Sequence, residues 1–271
     1  MSGKGRIPDR ENAGLSGCAM TTQSETPAPA HCPVCRAPKP NALLSVGGRD
    51  YWACAVCEAR FLDPRQYPSR AEEQAYYLYH QNDPADPGYR RFLARLAEPL
   101  LARLPVAASG LDFGCGPGPA LAAMLRDAGH DMTLYDPFFQ SDPSALQGRY
   151  DFITCTETAE HFHHPAEELD RLDRLLAPGG WLGIMTCFQT EDARFAAWHY
   201  RRDPTHVVFY RAATWRYLAA RRGWLCEIPR KDVALLRKPV CTQLAQNPTG
   251  VAEQDENSLT PARSWGRDSR S

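Results

Sequence analysis

From residue 109 onward, short apolar runs alternate with amphipathic stretches. The runs predict strands over 109–113, 132–135, 150–155 and 181–187. Apolar residues spaced three and four apart between them predict helices over 119–129 and 165–177. A helix over 211–222 and strands over 224–228 and 232–237 follow. Buried strands alternating with helices imply an α/β, Rossmann-like fold: a mainly parallel sheet with helices on both faces. Upstream, Arg and Glu alternate with Leu and Phe at helical spacing over 89–104. A Tyr-rich helical stretch at 71–80 sits between Pro64, Pro68, Pro84 and Pro87. No internal repeat is visible.

The two ends break this pattern. Residues 1–30 and 239–271 carry few large apolar side chains and are expected to be unstructured, because they cannot bury enough surface to offset chain entropy. Met20 is a possible true start. The ordered part divides into a small cysteine-bearing unit (31–63), a helical connector (64–104) and the α/β domain (105–238).

Composition narrows the function. The chain has 271 residues with 31 Lys and Arg against 32 Asp and Glu, a net charge of −1. That argues against nucleic acid held by bulk positive charge. Across 199–231 eight basic residues face two acids. They either receive an anionic substrate or, on the simpler reading, form the wet side of a helix. No apolar run approaches the roughly 18 residues of a membrane span, and the N-terminus has no secretory h-region. A cytosolic chain is expected, so its ten cysteines need an explanation other than disulfides.

Four of them supply one. Cys32-Pro-Val-Cys35 and Cys54-Ala-Val-Cys57 form two C-x2-C pairs eighteen residues apart. Between them two short apolar segments flank Gly47-Gly48, a hairpin turn. This is the pattern of a zinc ribbon: a closed four-sulfur Zn2+ site, structural rather than hydrolytic. So small a unit has almost no core, and the metal would supply most of its folding energy. Cys115, Cys155 and Cys187 read as small buried hydrophobes.

The most informative stretch is Gly110-Leu-Asp-Phe-Gly-Cys-Gly-Pro-Gly118. A strand ends at Asp112, a glycine turn follows, then a helix. In an open α/β sheet that turn lies at the carboxyl edge, where ligands bind, and glycines there let the backbone approach closely. Asp136 closes the next strand 22 residues after Gly114, placed for a ribose. The spacing is G-x-G-x-G rather than G-x-G-x-x-G, with an acid just before it. A carboxylate at 112 would repel a pyrophosphate but suits an ammonium.

These residues resemble the first motif of the class I S-adenosylmethionine-dependent methyltransferases. Tyr135-Asp136 is similar to the family's ribose-binding acid, and Leu176-Ala-Pro-Gly-Gly-Trp-Leu-Gly183 to its helix-to-strand turn. The resemblance covers about 105–238. It implies a seven-stranded sheet and S-adenosyl-L-methionine as methyl donor. It also implies cofactor contacts at Asp112, Gly114, Cys115, Gly116, Gly118, Asp136, Pro137 and Thr156. Only 13 residues separate Asp136 from Tyr150, little room for the family's third strand and its helix; Phe138 or Phe139 could stack on the adenine.

The loop after the 150–155 strand carries Glu157, Glu160, His161, His163 and His164. Its Glu-His pair resembles the corresponding loop of ubiquinone-type O-methyltransferases and sugar C-methyltransferases. Methyl transfer from a sulfonium is an in-line displacement that needs positioning and, for a hydroxyl or carbon acid, removal of a proton. His161 is the expected general base, oriented by Glu160 or Glu157. These glutamates and histidines could also hold a second metal. His199, Tyr200 and His206 are further pocket residues. The expected function is O- or C-methylation of a small-molecule acceptor. The alternatives are methylation of an RNA base and a non-catalytic protein that binds the cofactor.

Overall fold

The computed structural model describes residues 27–79 and 83–240. The expectations for most of 1–30 and nearly all of 239–271 lie outside the described residues.

Two sheets organise the chain. The larger has six strands: β4 (Ser109–Phe113), β5 (Asp131–Tyr135), β6 (Tyr150–Thr156), β7 (Leu176–Met185), β9 (Leu225–Arg230) and β10 (Val233–Arg237). Their order is β5-β4-β6-β7-β10-β9. The pairs among β5, β4, β6 and β7 are parallel, while β10 runs antiparallel to both β7 and β9. Helices cover both faces. On one, Leu93, Leu96 and Leu100 of α2 (Pro87–Leu101) and Leu121 and Leu125 of α3 (Ala120–Asp127) pack with Phe152 and Leu235. On the other, Leu169, Leu172 and Leu175 of α4 (Pro165–Leu175) and Trp215 and Leu218 of α6 (Ala212–Arg221) pack with Leu182 and Ile184.

The seven-stranded sheet implied by the resemblance is not found among the described residues; there are six strands. The 13 residues after Asp136 hold one 3-10 turn, Pro143–Leu146, capped by Asp142, and no third parallel strand. The Pro-Gly-Gly segment also differs. It lies inside β7 rather than between helix and strand, with Gly179 at φ +81° and a register irregularity against β6.

The second sheet joins the cysteine-bearing segment to the α/β part. Its strands β1 (Asn41–Val46), β2 (Arg49–Ala53) and β3 (Arg60–Leu62) form the expected hairpin plus one strand. The fourth is β8 (Val208–Phe209), antiparallel to β3 and contributed from beyond β7. Leu62 N donates to Val207 O at 2.8 Å, and Phe61, Leu62, Val208 and Phe209 are all fully buried. Ala166 N, at the start of α4, donates to Pro33 O. The basic residues of 199–231 are largely paired rather than solvated. Arg211 meets Glu58 and also Asp192, the first residue of the short helix α5 (Asp192–Phe195). Arg222 pairs with Asp170, and Arg221 with the Cys35 carbonyl.

Of the connector, α1 (Arg70–Tyr77) carries a capping box between Ser69 and Glu72. It and α2 send Glu73, Tyr77 and Tyr89 towards the carboxyl edge of the large sheet.

Candidate active site

Parallel strands β5, β4, β6 and β7 all end at one edge, so the segments that follow them converge. Gly114, just after β4, sits at φ +79°. A Cβ there would lie 2.2 Å from Thr158 Cγ2, so only glycine fits the turn. Asp136, after β5, clamps the turn from beneath: Oδ2 accepts from Gly116 N at 3.0 Å, and Oδ1 from Phe138 N (2.8 Å) and Phe139 N (3.1 Å). Asp112 is buried and accepts from Thr154 Oγ1 at 2.7 Å. Burial pushes its carboxyl up to about 6, against the help of that hydrogen bond.

These residues line one cavity of about 800 Å³ that runs on past the glycine turn to the loop after β6. Asp112, Gly114, Cys115, Gly116, Gly118, Asp136, Pro137 and Thr156 all face it, as do Phe138 and Phe139. Burial pushes the Cys115 thiol up to about 12, so it is a neutral wall. The Thr156 hydroxyl is buried without a hydrogen-bond partner. Such an atom costs about 1–3 kcal/mol unless a ligand meets it. Buried carboxylates, a glycine turn open to the cavity and an orphan hydroxyl together fit an amino-acid nucleoside.

Glu157, Glu160, His161 and His206 line the same cavity. His161 Nδ1 donates to the Thr205 carbonyl at 3.1 Å, which leaves Nε2 as the acceptor. Burial lowers its pKa, so the ring is neutral near pH 7. Glu160 is fully buried; its Oε1 accepts from Tyr200 OH, not from His161. The partner that orients His161 is therefore the Thr205 carbonyl rather than Glu160 or Glu157. Glu157 lies 3.4 Å from Tyr200 OH, and burial pushes it up to about 9. Thr186 Oγ1 meets the same hydroxyl at 3.0 Å. Tyr200 thus supports the site from behind instead of facing an acceptor.

His206 Nδ1 donates to the Tyr200 carbonyl at 2.7 Å, and its ring centroid is 4.7 Å from that of His161. His163 pairs with Glu73 at 3.2 Å, and His199 is exposed. Tyr77 and Tyr89, missed as site residues in the sequence, form the roof; the clustering of Tyr in the connector was the only signal.

Cys32, Cys35, Cys54 and Cys57 are buried, unbridged and gathered together. Cys32 Sγ lies 3.7 Å from Cys57 Sγ, and Cys35 Sγ 3.6 Å from Cys54 Sγ. Sulfurs around a tetrahedral ion with ~2.3 Å bonds sit about 3.8 Å apart. The cluster can bind a metal.

Against known proteins, a family described as "Methyltransferase domain" matches residues 80–227, more than half of the chain. The chain belongs to that family. Its sheet and helices match a class I S-adenosylmethionine-dependent methyltransferase fold. The chain is 29% identical over 174 residues to the biotin biosynthesis bifunctional protein BioCD of Bordetella avium, covering 56% of this chain and 35% of that one. It is 31% identical over 91 residues to the ubiquinone biosynthesis O-methyltransferase of Serratia proteamaculans, covering 34% and 37%. The chain thus spans about a third of the length of the curated relatives it matches. Among solved structures, a 1,6-didemethyltoxoflavin-N1-methyltransferase of Burkholderia thailandensis aligns at 17% identity and TM-score 0.45, covering 73% of this chain and 99% of that one. No described helix is long and apolar enough to cross a membrane.

Proposed function

We propose that this chain transfers a methyl group from S-adenosyl-L-methionine to an oxygen or carbon of a small-molecule acceptor. The observation that carries the reading is a single cavity reaching from the glycine turn to His161. Its 800 Å³ falls within the roughly 300–1,000 Å³ of small-molecule sites, room for a cofactor and a modest acceptor. When bound, S-adenosylmethionine supplies an electrophilic methyl group beside a good leaving group. Asp112 receives the amino-acid ammonium, Asp136 a ribose hydroxyl, and Thr156 fills its missing hydrogen bond. Tyr77 and Tyr89 cover the cavity and exclude water. His161 accepts the acceptor's proton at Nε2, with Nδ1–H held by the Thr205 carbonyl. Glu160 and Glu157 hold Tyr200, whose carbonyl orients His206.

The four cysteines are assigned a structural zinc ion, and the unbridged thiols suit a cytosolic enzyme acting on metabolites. Incubation with methyl-labelled S-adenosylmethionine and a small-molecule extract tests the reading. Label passes to an extractable compound, and His161→Ala lowers turnover at least about tenfold while S-adenosylhomocysteine affinity is kept. Turnover preserved within severalfold would remove His161 as base, and no calorimetric heat with S-adenosylhomocysteine would remove the activity.

A further inference from the structure

Three lone-pair donors meet on the floor of the cavity. Glu160, His161 and His206 each bring one ligand atom, and these atoms all lie within 4.8 Å of one another. Glu160 is 0% exposed. Its Oε1 accepts from Tyr200, while Oε2 has no hydrogen-bond partner. A buried carboxylate oxygen left without a donor is costly, so the site is built for a positive or donating species that the chain does not itself provide.

Both rings are held from behind. His161 Nδ1 donates to the Thr205 carbonyl and His206 Nδ1 to the Tyr200 carbonyl. Backbone carbonyls on one ring nitrogen are the usual means of aiming the other nitrogen at a metal. Tyr200 anchors two of the three donors, one through its hydroxyl and one through its carbonyl. Asp203 Oδ2, 3.8 Å from His206 Nε2, adds negative charge beside the group. The sequence suggests a metal set drawn from one loop, but His163 turns away to Glu73 and His206 arrives from the segment after β7.

We propose that Glu160, His161 and His206 bind one divalent first-row transition-metal ion, with its remaining positions open to the cavity. Two imidazoles and one carboxylate suit Mn2+, Fe2+, Co2+ or Zn2+ rather than Mg2+ or Ca2+, which favour all-oxygen shells. Donors around a tetrahedral ion with ~2.1 Å bonds sit about 3.4 Å apart, so each moves by under an ångström to close the site. The inference rests on the methyl-transfer reading only for placing the acceptor at this end of the cavity. With the ion in place, His161 Nε2 is a ligand, and an acceptor hydroxyl coordinated to the ion loses its proton to water. Without it, the ring takes that proton itself.

The test uses the full chain carrying one equivalent of zinc, held by the four cysteines, titrated with Mn2+ and read by loss of the free-ion EPR signal. Competition with Mg2+ and calorimetry with S-adenosylhomocysteine are run on the same samples. One Mn2+ binds per chain, Mg2+ in tenfold excess does not displace it, and Glu160→Gln and His206→Ala each weaken it at least tenfold. Pulsed EPR of the unsubstituted chain shows nitrogen coupling from imidazole, a readout that needs no variant to fold. Absence of Mn2+ binding, bound Mn2+ without imidazole coupling, or affinity unchanged in both variants overturns the proposal. Heat with S-adenosylhomocysteine but no Mn2+ uptake would sink this inference and leave methyl transfer standing; the reverse result would do the opposite.

Discussion

Replacing Asp112 by asparagine should make the protein more stable at neutral pH while weakening cofactor binding. Asp112 is 4% exposed, and burial raises its carboxyl from 3.8 to about 6. A raised acid favours the folded state below the unfolded pKa, and that contribution is lost as pH climbs through the folded pKa. The shift of about two units corresponds to about 3 kcal/mol lost in full above pH 7, of which about half falls between pH 5 and pH 7.5. The amide introduced by Asp112→Asn keeps the Thr154 hydrogen bond through its carbonyl oxygen and does not ionise. Urea unfolding of both proteins at pH 5 and pH 7.5 reads the effect. The stability gap should move in favour of Asp112→Asn by about 1.5 kcal/mol over that range, while S-adenosylhomocysteine binding weakens at least tenfold. A gap that stays constant with pH would refute the claim that Asp112 is a strained, buried carboxylate held for a cation.

Further outcomes are expected. Gly114→Ala forces a Cβ against Thr158 at φ +79°. It should cost about 2–4 kcal/mol, visible as a drop in Tm, and should abolish S-adenosylhomocysteine binding. Asp136→Ala removes the acceptor for three backbone amides and should weaken S-adenosylhomocysteine at least tenfold by calorimetry. Elemental analysis should find a zinc ion held by the four clustered cysteines, and Cys54→Ser should lower the zinc content by one per chain together with the Tm.

The parts of the site legible in the sequence are those fixed by local spacing. The two C-x2-C pairs close on each other, and the glycine turn with Asp112 before it and Asp136 after it follows from strand-turn-helix chemistry. The parts that are not legible are set by long-range contacts. Nothing near residue 161 says that the carbonyl of Thr205 holds its ring, or that Tyr200 reaches Glu160 from 40 residues away. Val208–Phe209 is too short to read as a strand, since its pairing partner is β3 of the cysteine-bearing unit. The missing third strand shows in the sequence only as crowding, because length shows what cannot fit but not what replaces it.

The two-residue strand β8 has a consequence for how the chain can be cut or shuffled. Its neighbour Val207 is a crossroads: its carbonyl accepts from Leu62 of the cysteine-bearing unit, and its amide donates to the Glu160 carbonyl beside the proposed chemistry. The cysteine-bearing unit is thus masonry in the cavity's wall rather than a detachable appendage. A version trimmed to begin after residue 63 would bare the edge of β8 and loosen the masonry directly behind Glu160 and His206, so any graft of this fold must carry the cysteine-bearing unit and the 199–209 segment as a matched pair.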